Sequence, residues 1–245
     1  MNCVILAAGL GTRLRGVSDS KPLTPVGGVP LIEHVIRRAT SAGADRFVVV
    51  TGYLADRLEP FLVGLGERLG LQISIARAED WTRPNGFSVL AGSARIEGDY
   101  LLLMSDHLFD PEIARRLVAA PNLAADVVLA VDSEVDGDLV DPADATKVDV
   151  APDGKIVRIG KELERYNAID TGLFRAGPGL ADAIRADVAA GGPGSLSAGV
   201  QRLADAGRAR TMEVNGARWI DVDDARMLAL AEGIVASDAL TGSAA

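Results

Sequence analysis

The chain has 245 residues, 48% of them hydrophobic and 24% charged, which fits a globular protein of one sizeable domain or two small ones. Its formal charge is -9, from 25 basic and 34 acidic residues. That balance argues against a general nucleic-acid binder and requires any anionic ligand to be held by a locally basic pocket.

Residues 2–7 are an apolar run that predicts a buried strand ending in a glycine-rich turn. Cys3, the single cysteine, lies inside it and reads as a small buried hydrophobe; no internal disulfide can form. The start MNCVILAAG lacks the basic segment of a secretory signal, and no apolar stretch reaches membrane-spanning length. A soluble cytoplasmic protein with no membrane or nucleic-acid partner is expected. Leu31, Ile32, Val35, Ile36 and Ala39 follow at helical spacing and are closed by Gly43. Residues 47–51 predict a second strand, 55–69 a helix, 71–76 an alternating strand and 85–94 a helix. Residues 100–104 and 126–131 are further apolar strands. Buried runs alternating with helices point to parallel strands covered on both faces.

The pattern changes after Ser133. Residues 147–150 and 156–159 predict a hairpin turned at Asp153-Gly154. Residues 168–174 predict a strand, and 179–189 and 196–206 predict helices. Residues 210–214 and 218–220 predict a second hairpin turned at Asn215-Gly216. Residues 223–236 close the chain as a helix, and the small, polar residues 237–245 are expected to form a flexible tail. The expected fold class is α/β, a doubly wound, mostly parallel mixed sheet with a β-rich insertion.

The turn after the first strand carries the first chemical signal. GTRLRGVS at 11–18 has the glycine spacing of a Walker A loop, but Val17 stands where that loop needs its lysine. A dinucleotide fingerprint fails as well, because its third glycine is replaced by Leu14 and the second strand ends in Thr51-Gly52 without an acid. What remains is a glycine turn with cations. Gly9 and Gly11 let the backbone approach a phosphate, Arg13 offers a bidentate fork, and Lys21 follows eight residues later.

Two acidic sites complete the signal. Asp106 follows the strand at 100–104, at the carboxyl end where open α/β sheets bind ligands, and Asp110-Pro111-Glu112 is the better helix cap. Asp106 is thereby free to bind a metal. Asp221 and Asp223 alternate with Ile220 and Val222, so both project from one face and need a cation or solvent between them. Asp223 can also start the closing helix. His107, a lone histidine, reads as pocket lining at best, since such a residue is more often a structural hydrogen-bonder than a ligand. Asn85 offers either a helix cap or an amide for a base edge. Lys161, in an acidic region, is either a solvated side chain or a cation for an anionic ligand.

The string Leu6-Ala-Ala-Gly-Leu-Gly-Thr-Arg-Leu14, followed by Lys21-Pro-Leu23, resembles the signature of nucleotidyltransferases that couple an NTP to a sugar or alcohol phosphate. The second half, with Asp144-Ala-Thr-Lys-Val148, Gly160-Lys-Glu-Leu163 and Tyr166-Asn-Ala-Ile-Asp-Thr-Gly172, resembles the CTP:inositol-1-phosphate cytidylyltransferases. The resemblance spans residues 4 to about 231 and implies a Rossmann-like nucleotidyltransferase domain over 1–236, with an acceptor-binding part at about 134–218. It implies that Leu6, Ala7, Ala8, Gly9, Gly11 and Thr12 wrap the triphosphate, with Arg13 and Lys21 as the catalytic cations. By the same resemblance Asn85, Gly86 and Ser88 read the base. Asp106 and Asp223, with Asp221, hold Mg²⁺. The resemblance further implies that Lys161, Lys147, Glu162, Asp170 and Thr171 receive the acceptor. That family is often fused to a membrane phosphotransferase domain, so the next step is expected on a separate chain. Another acceptor (phosphocholine, a phosphonate or a sugar 1-phosphate) or another NTP is the near rival. A non-catalytic nucleotide-binding subunit is the distant one, disfavoured by the full set Arg13, Lys21, Asp106 and Asp223.

Overall fold

The computed structural model describes residues 1–14, 18–120, 125–137, 140–141 and 144–241. Val17 and residues 242–245 of the expected tail lie outside the described residues, and the side chain of Thr12 is likewise not described. The first elements are β1 (Asn2–Ala7), β2 (Pro25–Val26), β3 (Val29–Pro30), α1 (Leu31–Ser41), β4 (Arg46–Thr51), α2 (Ala55–Leu69) and β5 (Gln72–Arg77). Next come α3 (Gly86–Ser93), β6 (Tyr100–Met104), β7 (His107–Phe109), α4 (Pro111–Ala119) and β8 (Val127–Asp132). The second half holds β9 (Lys147–Val150), β10 (Ile156–Gly160), β11 (Ala168–Ala176), α5 (Pro178–Ala189) and α6 (Leu196–Asp205). It closes with β12 (Ala209–Glu213), β13 (Trp219–Asp221) and α7 (Ala225–Thr241).

One mixed sheet organises the molecule. Strands β5, β4, β1 and β6 run parallel in that order. The long strand β11 joins β6 antiparallel, and pairs antiparallel with β8 and β9 as well. It serves β9 with residues 168–169 and β6 with residues 173–176, and its register against β8 shifts between Asp170 and Phe174. Strands β9 and β10 form the expected hairpin, with Gly154 at φ 80° in its turn. Helices cover both faces, as a doubly wound sheet requires. Cys3, Ile5 and Ala7 point into the layer of Ile36, Leu62 and Leu117, while Val4 and Leu6 point into that of Val89, Ile184 and Val200. This is the period-two alternation of a strand buried on both sides. A smaller cluster joins Leu14, Leu108, Ile220, Val222 and Met227. It anchors the loop after β1 to β7, β13 and α7, which fixes where the loop's cations can reach. Among the described residues no helix is long and apolar enough to cross a membrane.

Two expectations are corrected. The turn at Asn215-Gly216 exists, with φ of 55° and 75° and Ala217 N–H donating to Val214 O at 3.2 Å, but it closes no hairpin. Strand β12 pairs parallel with β8, and β13 pairs antiparallel with β7. The reason is burial. The open edge of β8 takes β12, while Trp219 is 5% exposed and its indole N–H donates to Asp132 Oδ2 at 2.7 Å. A turn residue sets a local reversal, not the partner that a strand finds. The second correction concerns the tail. Helix α7 continues to Thr241, and Asp238 is buried between Arg38, at 2.9 Å, and Arg218, at 2.7 Å. Helix capping falls on Asp224, whose Oδ1 accepts from Met227 N–H at 2.8 Å, which leaves Asp223 free.

Candidate active site

The parallel half of the sheet places the ends of β1 and β6 at one cleft, the position where such sheets bind ligands. A cavity of about 340 Å³ opens there. Leu6, Ala7, Ala8, Gly9, Gly11, Arg13, Lys21, Asn85, Ser88 and Asp106 all line it. Gly11 has φ 57°, and a Cβ there would lie 2.6 Å from Lys21 Cβ. Glycine thus lets the Lys21 stem pass over the loop and bury its charge in the cleft. Thr12 opens a short 3₁₀ turn that ends at the buried Leu14. Gly86 does not line the cavity; it packs against Gly194, where a Cβ would meet the carbonyl oxygen at 2.2 Å. Asn85 Oδ1 accepts from Leu196 N–H at 2.9 Å, so its amide NH₂ is the group left to read a ligand. Trp81 and Arg83 also line the cleft. Nothing in their sequence spacing marks them.

A second cavity of about 210 Å³ adjoins the first and shares Arg13, Asn85, Met104 and Asp223 with it. Lys161 and Asp170 line this cavity, as does Asp221. The other expected acceptor residues do not. The Lys147 ammonium lies over the Tyr166 ring, 5.4 Å from its centre. Glu162 is exposed outside the lining. Thr171 is fully buried and donates its hydroxyl to Ala130 O at 2.8 Å. The strand periodicity explains the split, since Asp170 and Thr171 must face opposite sides of β11.

Charges of alternating sign run across both cavities. Lys161 pairs with Asp144 at 2.7 Å, and Asp144 also pairs with Arg13. Arg13 continues to Asp223, and Asp223 to Lys21. Lys21 lies 2.5 Å from Asp106 and 3.4 Å from Asp221. Asp106 Oδ1 accepts from His107 Nδ1 at 2.8 Å. Burial opposes the charge of Lys21, but the surrounding carboxylates outweigh it and raise its pKa. Burial likewise opposes the Asp106 carboxylate, and Lys21 and His107 hold it well below the usual range. Burial disfavours imidazolium at His107, yet Asp221 and the Asp106 hydrogen bond push it up to about 9. The two carboxylates therefore favour the protonated ring, a setting that its lone occurrence in the sequence does not announce. The β13–β7 register sets Asp221 directly opposite it, and their rings bring His107 and Trp219 into a stack at 6.2 Å. Val222 N–H donates to Asp106 O at 3.0 Å, which holds the Asp221–Asp223 corner against the end of β6. Asp144 is the other residue to which the sequence assigned no role, although it opens the 144–148 stretch.

The donor set can hold a divalent metal. Asp106, His107 and Asp221 bring ligand atoms within 4.8 Å of one another, and so do Asp144, Asp221 and Asp223. The carboxylate oxygens are hard donors of the kind Mg²⁺ takes. Asp106 and Asp223 meet at the same lysine ammonium, so one cation already bridges them.

The model of a MobA-like NTP transferase domain matches residues 3–171. A bifunctional IPC transferase and DIPP synthase of Rubrobacter xylanophilus is 35% identical over 71% of this chain; the chain spans only 38% of that relative. A 2-aminoethylphosphonate cytidylyltransferase of Lancefieldella rimae is 31% identical over 71% of this chain and 67% of the relative. The solved inositol-1-phosphate CTP transferase from T. maritima superposes with a TM-score of 0.85 at 25% identity, over 97% of this chain and 96% of that one. The glycine loop after β1, the acidic corner of β13 and these matches agree: the chain belongs to the MobA-like NTP transferase family.

Proposed function

We propose that the protein is a Mg²⁺-dependent cytidylyltransferase that joins CTP to inositol 1-phosphate, giving CDP-inositol and pyrophosphate. The observation that carries this reading is the pair of adjoining cavities with Arg13 and Asp223 on their common wall. One cavity has the room and the cations for a nucleoside triphosphate. The other has a single lysine for a phosphate and carboxylates for hydroxyl groups. The acceptor phosphate is the nucleophile. Its second pKa is about 6, so it is mostly dianionic at neutral pH and needs no general base. The barrier is repulsion between two anions, and positioning with charge neutralisation is what lowers it.

Arg13 grips the leaving pyrophosphate, and Lys21 neutralises charge at the α-phosphate. Asp106 and Asp223, with Asp221, hold the Mg²⁺, which supplies further neutralisation of the nucleotide phosphates when bound. His107 keeps Asp106 ionised and oriented. Lys161 grips the acceptor phosphate, and Asp170 accepts from an acceptor hydroxyl. Pyrophosphate release tests the reading. It should appear with CTP, inositol 1-phosphate and Mg²⁺, and Asp106→Ala should abolish it without lowering the melting temperature by more than a few degrees.

A second acceptor has an observation in its favour. The acceptor cavity is walled by Asp141, Asp144, Asp170, Asp221 and Asp224, which suits an ammonium as well as hydroxyl groups. Faster pyrophosphate release with 2-aminoethylphosphonate than with inositol 1-phosphate would assign the protein to that acceptor. Absence of release with either, despite CTP binding, would overturn both.

A further inference from the structure

Asp144 is not among the carboxylates assigned to Mg²⁺ above, yet it stands between the two groups that reaction depends on. It lies in the segment between β8 and β9, on the wall of the acceptor cavity. Its Oδ1 accepts from Lys161 Nζ at 2.7 Å, and its Oδ2 accepts from Arg13 Nη2. Burial opposes its charge, but the Lys161 and Arg13 hydrogen bonds hold the carboxyl below the usual range. One carboxylate thus touches both cations, and Arg13 keeps Asp223 as a second partner.

From this shared contact we infer that Asp144 is a common counter-ion that couples the nucleotide site to the acceptor site. The inference rests on the assignment of Arg13 to the nucleotide and Lys161 to the acceptor. A phosphate arriving at Arg13 must displace Asp144 from the guanidinium, and its negative charge drives the carboxylate out of the shared wall. Lys161 then stands without its counter-ion, and the acceptor phosphate binds it with less opposition. The displacement happens once and serves both ligands, so each ligand raises the affinity of the other. Reciprocity follows from linkage. Asp144 is 31% exposed and Lys161 52%, so solvent screening keeps the effect modest, about threefold to tenfold in affinity.

Asp144 is a positioning residue in this account, and the sign of its effect separates it from a structural one. A residue that merely shapes the loop would weaken both ligands when replaced. A shared counter-ion strengthens each ligand alone and abolishes their coupling. Calorimetry on the full chain with Mg²⁺, using α,β-methylene CTP and inositol 1-phosphate as a non-reacting pair, reads both quantities. In the unaltered chain each probe should tighten the other about threefold or more. In Asp144→Asn each probe alone should bind about threefold tighter, with the coupling factor near one. Weaker binding of either probe alone, or an unchanged coupling factor, overturns the inference. Lys161→Met gives a second reading that needs no change at Asp144. Asp144 then serves Arg13 alone, and α,β-methylene CTP should bind about threefold weaker; equal or tighter binding overturns the inference. If neither probe binds the unaltered chain, the substrate assignment falls by itself. Inorganic pyrophosphate and inorganic phosphate, which need only Arg13 and Lys161, then carry the same test of Asp144.

Discussion

Lys21 Nζ lies 2.5 Å from Asp106 Oδ2, on a side chain that is only 8% exposed. The same ammonium reaches Asp221 and Asp223, so it compensates three carboxylates that come from two distant parts of the chain. A divalent metal held by these carboxylates, as proposed above, would share their oxygens with the lysine. Lys21→Met should lower turnover by about a hundredfold or more, the scale of losing one transition-state cation. It should also enlarge the rise in melting temperature produced by Mg²⁺, because the metal then meets uncompensated carboxylates. A Mg²⁺-dependent rise no larger than that of the unaltered chain would show that the two cations do not share these ligands.

Gly11 shapes the path of that lysine. Alanine at this position combines a backbone at φ 57° with a Cβ 2.6 Å from Lys21 Cβ. Gly11→Ala should destabilise the fold by about 1–2 kcal/mol and raise the nucleotide KM. Urea unfolding measures the first and steady-state kinetics the second. A normal KM in the alanine variant would mean that Lys21 reaches the cleft without the glycine.

Asp170 predicts a pH dependence. Burial raises its carboxyl from 3.8 to about 6, against the Gly172 N–H and His107, which act to lower it. The folded protein therefore holds this proton more tightly than the unfolded chain does. The stability associated with Asp170 is complete below about pH 4 and is lost as pH rises through about 6. Asp170→Asn removes the burial of a charge and should stabilise the fold at pH 8 by up to about 3 kcal/mol, at 1.36 kcal/mol per pH unit. The gain should vanish near pH 4. Thermal melts at the two pH values decide it, and an equal change at both would contradict the raised carboxyl. The acceptor KM should rise in the same variant.

Asp238 predicts where α7 is docked. Its carboxylate bridges Arg38 on α1 and Arg218 before β13, and is 8% exposed. Asp238→Ala leaves both guanidinium groups without it and should cost about 2–4 kcal/mol, the lower end reflecting the half-exposed Arg218. Since the residue lines neither cavity, kcat should stay within about twofold. A melting temperature unchanged by this substitution would falsify the docking role.

Much of the scaffold was legible from local pattern. The runs at 2–7, 55–69 and 100–104 coincide with β1, α2 and β6, because continuous apolar strands and a helical stripe are properties of neighbouring residues. The cap at Asp110 was legible for the same reason, and its Oδ1 does accept from Glu112 N–H at 2.9 Å. Strand β7, three residues long, carries too little pattern to be seen, and so does its pairing with β13. The hairpin expected at Asn215-Gly216 failed because the turn was local and the pairing was not. Among the residues expected to receive an acceptor, Lys161 and Asp170 line the second cavity while Lys147, Glu162 and Thr171 do not. Sequence proximity to a motif does not tell which face of a strand a side chain takes.

The sequence by itself determined an α/β sheet, a glycine loop bearing Arg13 and Lys21, and acids at 106, 221 and 223, since strand propensity, turn chemistry and charge are local. Only the tertiary structure decided that Lys21 would sit among those acids, that His107 would face Asp106 and Asp221, and that Asp144 would join Arg13 to Lys161. Those relationships depend on register and burial. A carboxylate in water and the same carboxylate against a buried ammonium are one residue type in two electrostatic environments, and folding alone selects between them.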